Sequence, residues 1–90
     1  MENDELIDSA ISMIDEVITI IDNDYSEIGK ANRFKKELLN HRGQLISCRG
    51  CRDREKIHMI IGTLVSEVQQ FNLWIKVETV SRALKKKKGY

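Results

Sequence analysis

The sequence predicts an all-α protein: an antiparallel helical hairpin plus an N-terminal helix, forming a three- to four-helix bundle that dimerisation completes. Two observations predict this class. Apolar residues recur at spacings of three and four along three segments, as on one face of a helix. The 90 residues also include no proline and only five glycines, so long helices meet few breakers. A chain of this length forms one small domain with marginal stability of its own.

The first segment, at about 4–23, carries a broad apolar stripe. The stripe comprises Ile7, Ala10, Ile11, Ile14, Val17, Ile18 and Ile21. Leu6, Met13 and Ile20 widen it to about half of the helix circumference at ~100° per residue. A face this wide predicts contact with two neighbours. We therefore expect Ile7, Ile14 and Ile18 to take part in protein binding.

The second segment, at about 27–47, follows Ser26, which is a good N-cap residue. Its stripe is Ala31, Phe34, Leu38, His41 and Leu45. A short breaker at 47–52 follows, in which Gly50 is expected to adopt a left-handed conformation. So short a connection predicts that the second and third segments lie antiparallel.

The third segment, at about 53–85, is expected to be capped by Asp53 and has two apolar faces. The first comprises Ile57, Ile60, Ile61, Leu64, Val65, Val68, Phe71 and Ile75, and the second comprises Leu73, Val77, Val80 and Leu84. The two faces point about 170° apart. An unbroken helix would be about 48 Å long, whereas a compact chain of this size is about 30 Å across. Either the helix breaks near 69–73, or its last turns project from the rest of the chain. We expect residues 1–85 to form a single helical domain.

Two further expectations concern this segment and the residues after it. Gly62 is a costly residue inside a helix, which either close approach of the first segment or a local kink would explain. Residues 86–90 are predicted to form a basic, flexible tail.

Charge is distributed unevenly along the chain. Residues 1–27 contain nine acids and no bases, residues 28–58 nine bases and three acids, and residues 59–90 six bases and two acids. We interpret this distribution mainly as pairing of the acidic first segment with the basic second one. The alternative is anion binding, for example of nucleic acid. Its candidates are Arg42, Arg49, Arg52 and Arg54 near the hairpin tip, and Lys85, Lys86, Lys87 and Lys88.

A cysteine and histidine pattern lies around the hairpin tip, with His41, Cys48, Cys51 and His58 in the order His-x6-Cys-x2-Cys-x6-His. Two thiols and two imidazoles are zinc-ligand types. Seven residues of helix span about 10.5 Å, however, and the His41 side chain would lean away from the cysteines. Cys48, Cys51 and His58 are the metal candidates, and His41 is expected in the core or an interface. Reduced thiols are the leading interpretation, with a redox pair or a disulfide as alternatives.

No motif for catalysis or phosphate binding is present, so we expect a non-enzymatic protein without a small-molecule substrate or a cofactor, zinc excepted. No apolar run reaches the ~18–20 residues of a membrane span, and we expect a cytoplasmic protein.

The sequence predicts a small regulator or adaptor, of inhibitor or chaperone type, that binds a protein partner and forms a homodimer. Its expected contact residues on the third segment are Leu73, Trp74, Val77, Val80 and Leu84, with Trp74 as the anchor. A nucleic-acid-binding regulator and a small zinc-binding hairpin are the alternative functions.

Overall fold

A computed structural model describes the backbone of residues 3–88 and the side chains of residues 3–85. It contains three α-helices: α1 (Asn3–Asp24), α2 (Gly29–Ser47) and α3 (Arg54–Lys88). Residues 3–88 contain no β-strand, so the all-α class is confirmed. Within that range no helix is both long enough and apolar enough to cross a membrane.

The core is a single cluster of apolar side chains drawn from all three helices and from both connections. Its buried members are Ile7, Ala10, Ile11, Ile14, Val17, Ile21, Tyr25, Ala31, Leu38, Leu45, Cys48, Ile57, Ile60, Leu64, Val68 and Phe71. These are mostly the residues of the predicted stripes. The side chains at periodic apolar positions therefore form the packed faces of the helices, as the hydrophobic effect requires of amphipathic helices.

The connection between α1 and α2 covers residues 25–28 and is one residue longer than predicted. The backbone N–H of Ile28 donates to the Tyr25 carbonyl at 3.1 Å, and the Asn32 side chain donates to the Ser26 carbonyl at 2.8 Å. The N-cap residue of α2 is the extended Ile28, not Ser26. The prediction of Ser26 was wrong because Tyr25 turns into the core and delays the helix start by two residues.

The connection between α2 and α3 agrees with the predicted backbone. Gly50 has a φ of 76°, the left-handed region that favours glycine. The Asp53 carboxylate accepts a hydrogen bond from the Lys56 backbone N–H at 3.1 Å, which is the geometry of an N-cap. Both expectations, for Gly50 and for Asp53, are confirmed.

Helix α3 runs without a break through 69–73. Contacts between α2 and α3 follow antiparallel order, since Phe34 stacks on Phe71 and His41 meets Glu67. With 35 residues, α3 is about 52 Å long, whereas the 22 residues of α1 span about 33 Å. The described residues accordingly extend over 59 × 18 × 16 Å.

Helix α3 continues three residues into the segment 86–90 that was predicted as a tail. The Arg82 guanidinium lies over the Tyr25 ring, 5.1 Å from its centroid, and the helix continues from there to Lys88. Helical hydrogen bonding thus includes Lys86, Lys87 and Lys88, while residues 89–90 lie outside the described range. Cations at a helix C-terminus interact favourably with the helix dipole.

Gly62 does not mark a close approach of α1. A Cβ added at Gly62 would meet no atom within 4 Å, and the residue is exposed. Helix α3 also continues straight through this position in the secondary structure. The prediction of close approach was wrong because Gly62 lies about 160° around the helix from Leu64 and faces outward.

Leu38 and Leu39 provide a matched test of the core, because Leu38 is 0% exposed and Leu39 is 48% exposed. Leu38→Ala should lower the free energy of unfolding by about 2–4 kcal/mol, because it leaves a cavity. Leu39→Ala should change it by no more than about 0.5 kcal/mol. Urea denaturation followed by far-UV circular dichroism measures both. Equal losses for the two variants would contradict the described orientation of α2.

Gly62→Ala should raise the free energy of unfolding by about 0.5–1 kcal/mol, because alanine is the better helix former and the added methyl has room. Gly43→Ala in α2 is the matched control, since Gly43 is also helical and open. Thermal unfolding at low protein concentration compares the stability of both variants with that of wild type. A loss of stability confined to Gly62→Ala would mean that a neighbour packs against this position.

Candidate protein-binding face

The terminal part of α3 carries an uncovered apolar stripe, which we call the outer face. It consists of Leu73, Val77, Val80 and Leu84, which are 54–64% exposed. The spacings of four, three and four place the four side chains in line, about 16 Å from first to last. The same helix buries Leu64, Val68 and Phe71 on its other side. Exposed apolar side chains grouped in this way are typical of an interaction surface.

The segment that carries the outer face has a basic composition. Between residues 73 and 88 the sequence has six bases and one acid, Glu78, which gives a net charge of +5. Arg82 is paired with Glu78 at 3.5 Å, one helical turn away. Pairs of this kind support an exposed helix by about 0.3–0.5 kcal/mol. The outer face therefore lies on a segment of net positive charge, although Arg82 itself lies on the opposite side of α3, over the Tyr25 ring.

Trp74 does not belong to the outer face. It packs against Tyr25 and Phe71, with ring centroids 5.8 and 5.5 Å away, and Phe71 stacks on Phe34 at 4.5 Å. Lys30 Nζ lies 5.4 Å from the Trp74 ring centroid. Grouping Trp74 with Leu73 was incorrect because adjacent helical residues point about 100° apart. Trp74 instead helps to fix α3 to the α1–α2 connection.

The broad face of α1 is likewise used within the chain. Ile7 and Ile14 are 0% exposed, and Ile18 is partly buried against the same core. Ile7 and Ile14 therefore present no free surface to a partner while the chain is folded, and Ile18 presents only part of its side chain. The wide stripe was correctly interpreted as a face with two neighbours, but those neighbours are α2 and α3.

A ladder of three ion pairs joins α1 to α2. The pairs are Asp8 with Arg49, Asp15 with Arg42 at 3.0 Å, and Asp22 with Lys35 at 2.7 Å. The acids repeat every seven residues along α1, two turns apart. The bases have the same spacing, with Lys35 and Arg42 on α2 and Arg49 in the turn that follows it, so each acid faces one base in antiparallel order. The predicted pairing of the acidic and basic segments is therefore seen in the structure.

The ladder changes the account of the anion-binding candidates. Arg42 and Arg49 already bind carboxylates of α1, which reduces their availability to an external anion. Arg52, Arg54 and Lys85 are exposed. The side chains of Lys86, Lys87 and Lys88 lie outside the described residues.

His41 occupies the α2–α3 interface, where its Nε2 lies 3.0 Å from Glu67 Oε2. The Nδ1 atom is buried and has no partner among the described residues. A proton on Nε2 would let His41 donate to the Glu67 carboxylate. Beside this pair, a cleft of about 160 Å³ is lined by Lys30, Phe34, Glu37, Glu67, Gln70, Phe71 and Trp74.

The predicted metal candidates are placed differently from one another. Cys48 is 2% exposed within the core, while Cys51 and His58 are exposed. Among the described residues, no three or more His, Cys, Asp or Glu side chains are grouped so that they could hold a metal ion. The structure thus brings together no ligand set from Cys48, Cys51 and His58.

Two contacts were missed by sequence reasoning. Glu67 was not named as the partner of His41, and the ladder was predicted only as a general attraction between segments. The seven-residue repeat of Asp8, Asp15 and Asp22 could have identified the ladder, because Lys35, Arg42 and Arg49 share the same repeat. Nothing in the local sequence around Glu67 distinguishes it from a solvated glutamate.

No protein-family model matches the chain, and neither the curated proteins nor the solved structures include a significant match.

The ladder can be tested by exchanging one pair. Asp15→Arg should place two cations together and lower the free energy of unfolding by roughly 0.5–1 kcal/mol, since both side chains are partly exposed. Adding Arg42→Asp should restore most of that loss. Urea denaturation at about 50 mM and 1 M salt should show the effect shrinking at high salt. A double variant less stable than Asp15→Arg would contradict the pairing.

Proposed function

We propose that the protein is a small non-enzymatic regulator or adaptor that works by protein–protein contact, and that it forms a homodimer through the outer face. The observation that carries the proposal is the exposure of Leu73, Val77, Val80 and Leu84 in one line. Dimerisation would add a second α3 to the side left uncovered and so complete a helical bundle.

The spacing of the outer face favours a helix as its partner. Apolar residues repeating at four, three and four match the seam of two packed helices, in which side chains of one enter gaps of the other. Either a second α3 or an amphipathic helix of another protein would fit such a stripe. An adaptor would exchange the α3 of its second copy for the helix of another protein, so binding of a partner would compete with self-association.

Charge favours an antiparallel arrangement of the two α3 helices. The net charge of +5 over residues 73–88 would meet its copy in a parallel pair, whereas antiparallel helices place the two lysine-rich ends apart. The contact spans only three turns, which is small beside the ~800 Å² per partner of a stable interface. We therefore expect a dissociation constant on the order of micromolar.

Nucleic-acid binding has less support as a function. Of the four arginines near the hairpin tip, Arg42 and Arg49 are bound to Asp15 and Asp8. The exposed Arg52 and Arg54 leave a smaller cationic surface than the sequence alone indicated. This alternative is wrong if duplex DNA stays unbound at about 50 mM salt, where phosphate contacts are strongest.

Self-association is tested by Val77→Glu and the matched control Thr79→Glu. Both variants replace a β-branched residue by glutamate. Thr79 is also exposed, but it lies about 160° around the helix from Val77. Sedimentation equilibrium from about 1 to 300 μM, a range spanning the expected dissociation constant, should give a dimer for wild type and Thr79→Glu. Val77→Glu should stay monomeric, with its circular dichroism unchanged.

Two results would overturn the proposal. The first is a wild type that sediments as a monomer over the whole range, and the second is a Val77→Glu variant that dimerises as tightly as Thr79→Glu. Orientation has its own readout, because a parallel pair would strengthen as salt screens the lysines. An antiparallel pair should depend only weakly on salt.

A further inference from the structure

We propose that Cys48 and Cys51 form an intramolecular disulfide when the protein meets a small-molecule disulfide, so that the hairpin tip is a thiol–disulfide exchange site. The inference does not depend on the proposed function, since it concerns the opposite end of the molecule from the outer face. It rests on the backbone of the turn, on the unequal exposure of the two thiols, and on the anchoring of the turn to α1.

The turn holds the two cysteines at a separation suited to a disulfide. The Cys51 backbone N–H donates to the Cys48 carbonyl at 3.0 Å, and Gly50 between them has a φ of 76°. Residues that close such a turn have Cα atoms less than about 7 Å apart. Disulfides join residues whose Cα atoms are about 4.4–6.8 Å apart, so the turn is compatible with the bond.

The two thiols are unequally exposed, which suits them to different steps. Both are free thiols, with Cys51 exposed and Cys48 2% exposed. An external reagent therefore reaches Cys51 first, and Cys48 is shielded from direct attack. This division corresponds to an attacking cysteine and a resolving cysteine.

The reaction balances with a small-molecule disulfide as the oxidant. The Cys51 thiolate attacks one sulfur of that disulfide, which forms a mixed disulfide and releases one small thiolate. The Cys48 thiolate then attacks the Cys51 sulfur, forms the Cys48–Cys51 bond and releases the second small thiolate. Two electrons pass from the cysteines to the reagent, and the released thiolates take up the two protons.

Contacts with α1 keep the turn in place during both steps. The Arg49 guanidinium is paired with Asp8, and the Gly50 backbone N–H lies 3.4 Å from Asp4 Oδ1. Both contacts come from residues between the two cysteines. The folded chain should therefore favour the intramolecular bond more than an unfolded chain, in which the same four residues sample many conformations.

The test is equilibration of the full chain with reduced and oxidised glutathione, followed by acid quench, alkylation and intact mass measurement. Wild type should lose two hydrogens and carry no glutathione. Cys48→Ser should instead accumulate one glutathione at Cys51, and Cys51→Ser should stay unmodified while folded. The ratio of disulfide to dithiol at fixed glutathione should be at least about tenfold higher in buffer than in concentrated urea.

Three results would overturn the inference. The first is accumulation of the glutathione adduct by wild type, as by Cys48→Ser. The second is formation of disulfide-linked dimers, and the third is a ratio of disulfide to dithiol that is no higher in buffer than in urea. Circular dichroism of each variant shows that the comparison is made on folded chains. Gly50→Ala, which strains the turn, should lower the ratio while leaving both thiols in place.

Discussion

The structure depends on one constraint, which is that α3 is longer than the two helices that cover it. Helices α1 and α2 have 22 and 19 residues, and α3 has 35. Hydrophobic packing can bury an apolar stripe only where a neighbour lies against it. The inner stripe of α3 is therefore buried through Phe71, while the outer face has no covering helix among the described residues. The architecture and the proposed function both follow from this difference in length.

Two kinds of contact determine how the three helices are arranged. Aromatic packing of Tyr25, Phe34, Phe71 and Trp74 joins the α1–α2 connection to α3, and Arg82 extends the contact by two turns. The ladder of acids and bases lies along the α1–α2 seam. Its exposed pairs contribute little free energy each. A shift of one or two residues would separate each acid from its base, so the ladder favours the observed alignment, while packing supplies most of the stability.

Much of the fold could be predicted from the sequence because helical periodicity reports directly which side of a helix is buried. The stripes of all three helices, the left-handed Gly50 and the Asp53 cap were predictable in this way. Ser26 was mispredicted because the start of α2 depends on where Tyr25 packs, which is a tertiary contact. Trp74 and Gly62 were mispredicted for a related reason: composition indicated their importance, but only the angle around α3 shows which neighbour each one faces. The partner of the outer face is still a proposal, since one chain contains no record of what covers it.

The central claim is that a second copy covers the outer face. It is tested most directly by mixing uniformly ¹⁵N,¹³C-labelled and unlabelled protein and recording isotope-filtered nuclear Overhauser spectra of the methyl groups. The account predicts intermolecular cross-peaks among the methyls of Leu73, Val77, Val80 and Leu84. It predicts none from Ile7 or Ile14, which are buried in the core of each chain. Intermolecular cross-peaks confined to other residues, or their absence at concentrations where the protein sediments as a dimer, would contradict it.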